Sequence, residues 1–232
     1  AVGSTEQHGP HLPLGTDTMQ ATEMAKRTAK KLAEEGIKVV VGPTIPFGCA
    51  PYHMPFAGTI SLKSSTLEAV IKEVCRSLYQ HGFRRFALLL GHGGNYGPMM
   101  VAAQDLVEDT DAEVIVLNWI KEMVQKYPSI LTSKEAEGHS GEGETSRQLA
   151  LHPELVQMNR ARVLYSKKAE EMESSDHPLL GGGVFPAAKS MRVATEWGSV
   201  GNSTLAKKET GDKAYDVIAT WVAAKIKRQW FR

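Results

Sequence analysis

The chain has 232 residues, 42% of them hydrophobic, which is enough apolar material for a full buried core. Its 27 basic and 26 acidic residues leave a formal charge of +1, so no electrostatic case exists for nucleic acid or an anionic membrane, and a small-molecule partner is expected. Two cysteines, Cys49 and Cys75, make neither a disulfide framework nor a zinc finger, and no run approaches the roughly 20 apolar residues of a membrane span, so a reducing, cytoplasmic setting is the expectation.

In chain order, the opening stretch GSTEQHGPHLPLGTD places Glu6, His8, His11 and Asp17 among glycines and prolines. Carboxylate together with imidazole suits zinc, manganese or iron, and Glu6 and His8, two apart, share a face of an extended backbone. Ala1 and Val2 run into this motif with no initiating Met, which fits removal of a short upstream segment. Ala21, Met24, Ala25, Thr28 and Leu32 recur at helical spacing, predicting a helix near 18–35 that Gly36 stops. Ile37 to Val41 reads as a buried strand. Ser65 and Glu68 make a capping-box signal before a helix through Leu67, Val70, Ile71, Val74 and Leu78, and a strand follows around Phe86 to Leu90. GHGGN comes next, aiming His92 at the carboxyl edge of the sheet, where ligands bind in open parallel sheets. A helix from near Pro98 to about Glu108 and a strand Val114 to Leu117 complete the third cycle. This alternation predicts βαβ units, a mainly parallel sheet and a single domain over 1–232.

The later chain holds HSGEGETS, with His139, Glu142 and Glu144 leading into a helix that carries Leu149 and Ala150. Residues 167–210, including Gly181 to Gly183, are irregular and read as lid or interface loops. Asp212 is the expected N-cap of a closing helix with Ala214, Val217, Ile218, Trp221, Val222 and Lys225 on one stripe.

A lone acid before a helix is usually a cap, and a Gly-rich turn is usually only a turn. Three His/carboxylate clusters, two of them bordered by glycines and at least one at a strand's carboxyl end, favour a shared metal site instead. His53 and Tyr52, in CAPYHMPF, are candidates for substrate contact, whereas Trp119, Trp197 and Met54 are weaker ones. GHGGN lacks the lysine of a P-loop and does not match GxGxxG. A serine hydrolase using Ser4, Ser140 or Ser146 is the competing catalytic reading, but no G-x-S-x-G elbow supports it.

In the order GSTEQHGPHLPLGTD, GTISL, GHGGN, HSGEGETS, the chain resembles the creatininase family of metal-dependent amidohydrolases. That resemblance implies a three-layer α/β/α sandwich, a dinuclear centre of zinc, manganese or iron, and a homohexamer. It matches Glu6, His8, Asp17 and His92 to metal ligands, with Asp17 bridging, and His139 to a proton shuttle. Creatininase has a glutamate two residues after the His92 position, where this chain has Gly94, so the resemblance to the wider family assigns Glu144 as the fifth ligand. Glu142 is then expected to assist His139, with His11 and Asn95 supporting the ligands through hydrogen bonds. A metal-bridging hydroxide would attack the carbonyl of a small (cyclic) amide or related C–N substrate, and His139 would protonate the leaving nitrogen. The alternatives are a lactone or formamide hydrolase on the same centre and a non-catalytic metal-binding oligomer.

Overall fold

The computed structural model describes residues 1–133, 137–165 and 190–231. Helix α1 (Thr16–Glu34) buries Ala21, Met24, Thr28 and Leu32, the stripe that the helical spacing predicts. Helix α2 (Ser64–Gln80) starts at an N-cap of Lys63 with no side-chain cap bond, so Ser65 lies inside the first turn and the expected capping box is not formed. Strand β1 (Arg85–Leu89), helix α3 (Tyr96–Asp109) and strand β2 (Glu113–Leu117) follow. Helix α4 (Trp119–Ile130), absent from the sequence expectation, is started by Asn118, whose side chain accepts the Lys121 N–H at 3.1 Å. Helix α5 (Glu142–Leu151) follows HSG, strands β3 (Val163–Leu164) and β4 (Gly201–Asn202) pair antiparallel, and helix α6 (Lys208–Trp230) closes the chain. The N-cap of α6 is Lys207. Asp212 sits within the helix and accepts instead from Lys208 and Arg27.

β1 and β2 pair in parallel, in register from Arg85 with Glu113 to Leu89 with Leu117. Side chains alternate along them, as a strand requires. Leu89 and Leu117 join a core with Met24, Met123 and Ile218 from α1, α4 and α6, while Phe86, Leu88 and Leu90 join another with Leu67, Ile71, Met99 and Leu106 from α2 and α3. Each fully buried aliphatic side chain contributes about 1.5–3 kcal/mol. Trp119, weighed as a pocket residue, is 2% exposed in the first of these cores.

The expected strand Ile37 to Val41 does not form, and Val40 is 76% exposed. A cavity of about 600 Å³, lined in part by Ala1, Val39, Val41, Leu89 and Val222, separates this stretch from the sheet and leaves it no ladder partner. Pairing begins only at Ile45, which bridges Val2. Val2 also bridges Leu90, donating its N–H to Leu89 O and accepting that of Gly91. The opening motif therefore leaves the sheet beside the carboxyl end of β1, where His92 begins the next loop.

Of the expected lid segment, residues 167–189, with Gly181 to Gly183, lie outside the described residues. Residues 190–210 form short turns, β4 and the first turn of α6. Both cysteines are buried and free, and among the described residues no helix is long and apolar enough to cross a membrane.

Candidate metal centre

Four pieces of chain meet at this edge. The opening segment brings Glu6 and His8, the first turn of α1 brings Asp17, the loop after β1 brings His92, and the start of α5 brings His139 and Glu144. Glu6 and His8 are fully buried, with His92 and Asp17 at 4% and 6% exposure. His8 Nε2 lies 3.1 Å from Asp17 Oδ1 and 3.8 Å from Glu144 Oε2. His92 Nδ1 lies 3.1 Å from Glu6 Oε2 and 3.2 Å from Asp17 Oδ2. Asp17 thus faces an imidazole with each oxygen. All five ligands that the resemblance implies come together, and His139 joins them with Nδ1 3.9 Å from Glu6 Oε1.

The hydrogen bonds on the outer side of the rings decide what each ring presents inward. His8 Nδ1 contacts the Glu6 carbonyl at 3.1 Å, His92 Nε2 the Cys49 carbonyl at 3.1 Å, and His139 Nε2 the Gln7 carbonyl at 2.8 Å. A carbonyl only accepts, so in each ring that nitrogen carries a proton. In the neutral ring the other nitrogen's lone pair faces the carboxylates, which is how proteins orient metal-binding histidines.

A cation suits this donor set. Glu6 Oε1 and Asp17 Oδ2 are buried and face imidazole nitrogens, His53 Nε2 and His92 Nδ1, each at 3.2 Å with no well-formed hydrogen bond, a costly condition unless those rings carry a proton toward them or a positive charge stands there. Ligand atoms of Glu6, His8 and Asp17, of His8, His139 and Glu144, and of Glu6, His53 and His139 each lie within 4.8 Å of one another. Without an ion, protons take its place. Burial alone would lower His8, but Asp17, then Glu144 and Glu6, outweigh it and lift the imidazole to about 9. His92 rises well above its usual value because Glu6 and Asp17 likewise overcome burial. Burial pushes Asp17 up, yet His8 and His92 hold it far below the usual carboxylate range. His139 is lowered by burial and by His8.

The remaining candidates take other partners. His53, expected at the substrate, is 1% exposed, and its ring nitrogens face Gln7 Nε2 at 2.7 Å and Glu6 Oε1 at 3.2 Å. Tyr52 packs its ring on His53 and, at 6.1 Å, stacks on His92. Glu142, expected to assist His139, has both oxygens committed to the backbone N–H groups of Thr132 and Ser133, at 2.7 Å each. Asn95 bonds no ligand side chain; it accepts from Cys49 N and donates to the Val2 and Gly3 carbonyls, tying the opening segment to the Cys49 loop. His11 contacts Thr145 Oγ1 at 2.8 Å, next to Glu144. At Gly94 an added Cβ would meet Cys49 O at 2.1 Å, so the local backbone leaves no room for a side chain where creatininase has its glutamate.

Three contributors escaped the sequence reading. Gln7 lies between His53 and His139, Arg147 places its guanidinium 3.7 Å from Glu144 Oε1, and Ser140, at φ 57°, donates its backbone N–H to Glu144 Oε2 at 2.6 Å. Gln7 could have been noticed between two ligands in EQH. The left-handed Ser140 carries no sequence signal, because non-glycine residues enter that region only when their surroundings force it. The serine-hydrolase reading finds no support: Ser4 Oγ donates to Glu6, Ser146 Oγ accepts from Lys207 N, and the buried Ser140 Oγ has no partner.

Residues 1–226 match the family model for creatinine amidohydrolase. A mycofactocin precursor peptide peptidase of Mycobacterium tuberculosis is 36% identical over 70% of this chain, which spans 61% of that relative's length. The creatinine amidohydrolase of Pseudomonas putida is 28% identical over 99% of this chain and 88% of its own length. Among solved structures, a candidate creatinine amidohydrolase from Bacteroides fragilis superposes with a TM-score of 0.82 at 26% identity, covering 100% of this chain and 88% of the other. A manganese creatininase also covers 100% of this chain and 90% of its own, with a TM-score of 0.76 at 26% identity.

Proposed function

The chain belongs to the creatininase family, and from that premise we propose that it is a metal-dependent amidohydrolase that cleaves a carbon–nitrogen bond of a small or cyclic amide or a short peptide. The observation that carries this reading is the inward presentation of His8, His92 and His139 toward the buried carboxylates of Glu6 and Asp17. Glu6 and His92 on one side of Asp17, and His8 and Glu144 on the other, would hold two divalent ions, with Asp17 between them. Zinc, manganese and iron suit this mixed donor set, and when bound they supply an acidified water and a polarised carbonyl.

The chain's own residues supply the rest. His139, neutral because burial and His8 lower it, has its Nε2–H anchored to the Gln7 carbonyl. Its Nδ1 is free to take a proton from the attacking water and deliver it to the leaving nitrogen, which departs poorly as an anion. Tyr52, half-buried against His53 and His92, walls the site on the Cys49 side. The relatives' names support a carbon–nitrogen bond, whether peptide or cyclic amide. The same reading includes one domain, helices on both faces of the sheet as in a three-layer sandwich, a homohexamer and a cytoplasmic setting. Light scattering tests the hexamer.

Elemental analysis of the purified protein, with hydrolysis assays on cyclic amides, formamides, short peptides and lactones before and after chelation, tests the proposal. About two ions per chain, turnover lost on chelation and restored by metal, and a His139→Ala variant that keeps its ions but loses at least about a hundredfold in rate are expected. Metal-free protein that still turns over substrate would overturn the ligand set. Bound metal with no turnover on the panel, and no change in any property on His139→Ala, would mark a non-catalytic binding protein.

A further inference from the structure

His53 is oriented in the opposite sense to the other three imidazoles of the centre. Those three rest a ring nitrogen on a backbone carbonyl, in His139 with the Gln7 carbonyl at 2.8 Å nearer than the Gln7 side-chain nitrogen at 3.3 Å, whereas His53 Nδ1 rests on that side-chain nitrogen alone, at 2.7 Å. The sense of the Gln7 amide follows from its other end, where Oε1 accepts the Gly9 N–H at 3.0 Å. Nε2 is therefore the NH₂ end, and a group that only donates faces His53 Nδ1. Gly198, at φ +74°, presses its backbone onto the same amide, since a Cβ there would come within 1.9 Å of Gln7 Oε1. Gln7 is 5% exposed and His53 1%. His53 Nδ1 must accept, which leaves the proton on Nε2, and Nε2 is the atom 3.2 Å from Glu6 Oε1.

We propose that His53 is a positioning residue, locked by Gln7 as the Nε2–H tautomer so that it offers Glu6 an N–H rather than offering an ion a lone pair. The inference rests on the proposed role of Glu6 as a metal ligand. Of the three groups close enough to hold an ion among the described residues, it removes Glu6, His53 and His139, because an ion there would meet a proton. It keeps the two groups built around His8. Gln7 serves both of its imidazole neighbours, setting His139 through its main-chain carbonyl and His53 through its side chain.

Long-range ¹H–¹⁵N spectra of the full chain, ¹⁵N-labelled and metal-free, read the tautomer directly and do not depend on any activity. His53→Gln identifies the His53 resonances by their loss. The expected pattern is a bare Nδ1 and a protonated Nε2 that stays protonated as zinc is added to saturation. In Gln7→Glu the carboxylate can only accept, so the proton is expected to move to Nδ1. A bare Nε2 in the metal-free wild type, or one that loses its proton to zinc, would overturn the proposal by making His53 a ligand; should Gln7→Glu not fold, the wild-type spectra decide alone. Zinc affinity adds a second readout: His53→Leu should bind about tenfold more weakly than wild type, while His53→Gln, which keeps a donor beside Glu6, should bind like wild type. Equal loss in both variants would contradict the donor role. Failure of zinc to bind wild type at all would sink the metal reading while leaving the metal-free tautomer intact.

Discussion

His8 and His92 hold protons where the folded chain has places for cations. With His8 raised to about 9 and His92 well above its ordinary value, both are imidazolium at neutral pH in the metal-free protein. An ion that uses either nitrogen must displace that proton. Zinc affinity should therefore strengthen by about tenfold per pH unit for each proton displaced and level off as pH rises through about 9 at His8. Calorimetric titration at pH 7.5 in buffers of different ionisation enthalpy checks this. Net proton release is expected on zinc binding, and none would show that these imidazoles do not ligate. His139, lowered by burial and His8, contributes no such proton and keeps Nδ1 available as a base.

At the scale of elements, the approach to α5 is pinned by carboxylates that never touch the centre. Glu142 Oε1 and Oε2 accept the N–H groups of Thr132 and Ser133, while Glu137 accepts those of Glu142 and Asn202. This mesh fixes the turn from which His139 and Glu144 project. Glu142 is fully buried, so Glu142→Ala would leave two N–H groups with no acceptor and should cost about 2–4 kcal/mol of stability. Urea unfolding measures it. A loss below about 0.5 kcal/mol, with the rate falling as for His139→Ala, would return Glu142 to the catalytic role that its place in HSGEGETS suggests. From sequence alone, Glu142 and Glu144 stand alike, two apart and both acidic. Only the tertiary placement of Thr132, Ser133 and His8 separates them, giving one to the backbone and the other to His8. Helix α4 was illegible for a related reason, since its apolar residues flank Pro128 and its start depends on the Asn118 cap.

Over the whole molecule, the proposed ligands come from segments far apart in the chain, so the complete set exists only in the folded state. Ions that bind only that state stabilise it by mass action, by about 2.7 kcal/mol at a free concentration a hundredfold above Kd. For a chain of this size that corresponds to about 5–10 °C in Tm. Scanning calorimetry with chelator, then with zinc restored, should show the shift and its reversal; an unchanged Tm would mean that the cluster binds no ion when folded. The sequence by itself determined the alternation of helices and strands, because apolar spacing is a local property of the chain, and it singled out Glu6, His8, Asp17 and His92 with the pair Glu142 and Glu144, because side chains with metal-binding chemistry cluster visibly among glycines; the choice of Glu144 came from the family resemblance. It misjudged Ile37 to Val41, whose apolar run is that of a strand but which lies across a cavity from the sheet that would pair with it. What only the tertiary structure decided is direction: which nitrogen of each imidazole faces inward, which glutamate reaches His8, and that the ring nitrogens of His53 face Gln7 and Glu6. Those choices depend on partners distant in sequence, the carbonyls of Glu6, Gln7 and Cys49 and the amide of Gln7, and hydrogen-bond donors and acceptors acquire their roles only when the fold brings them together.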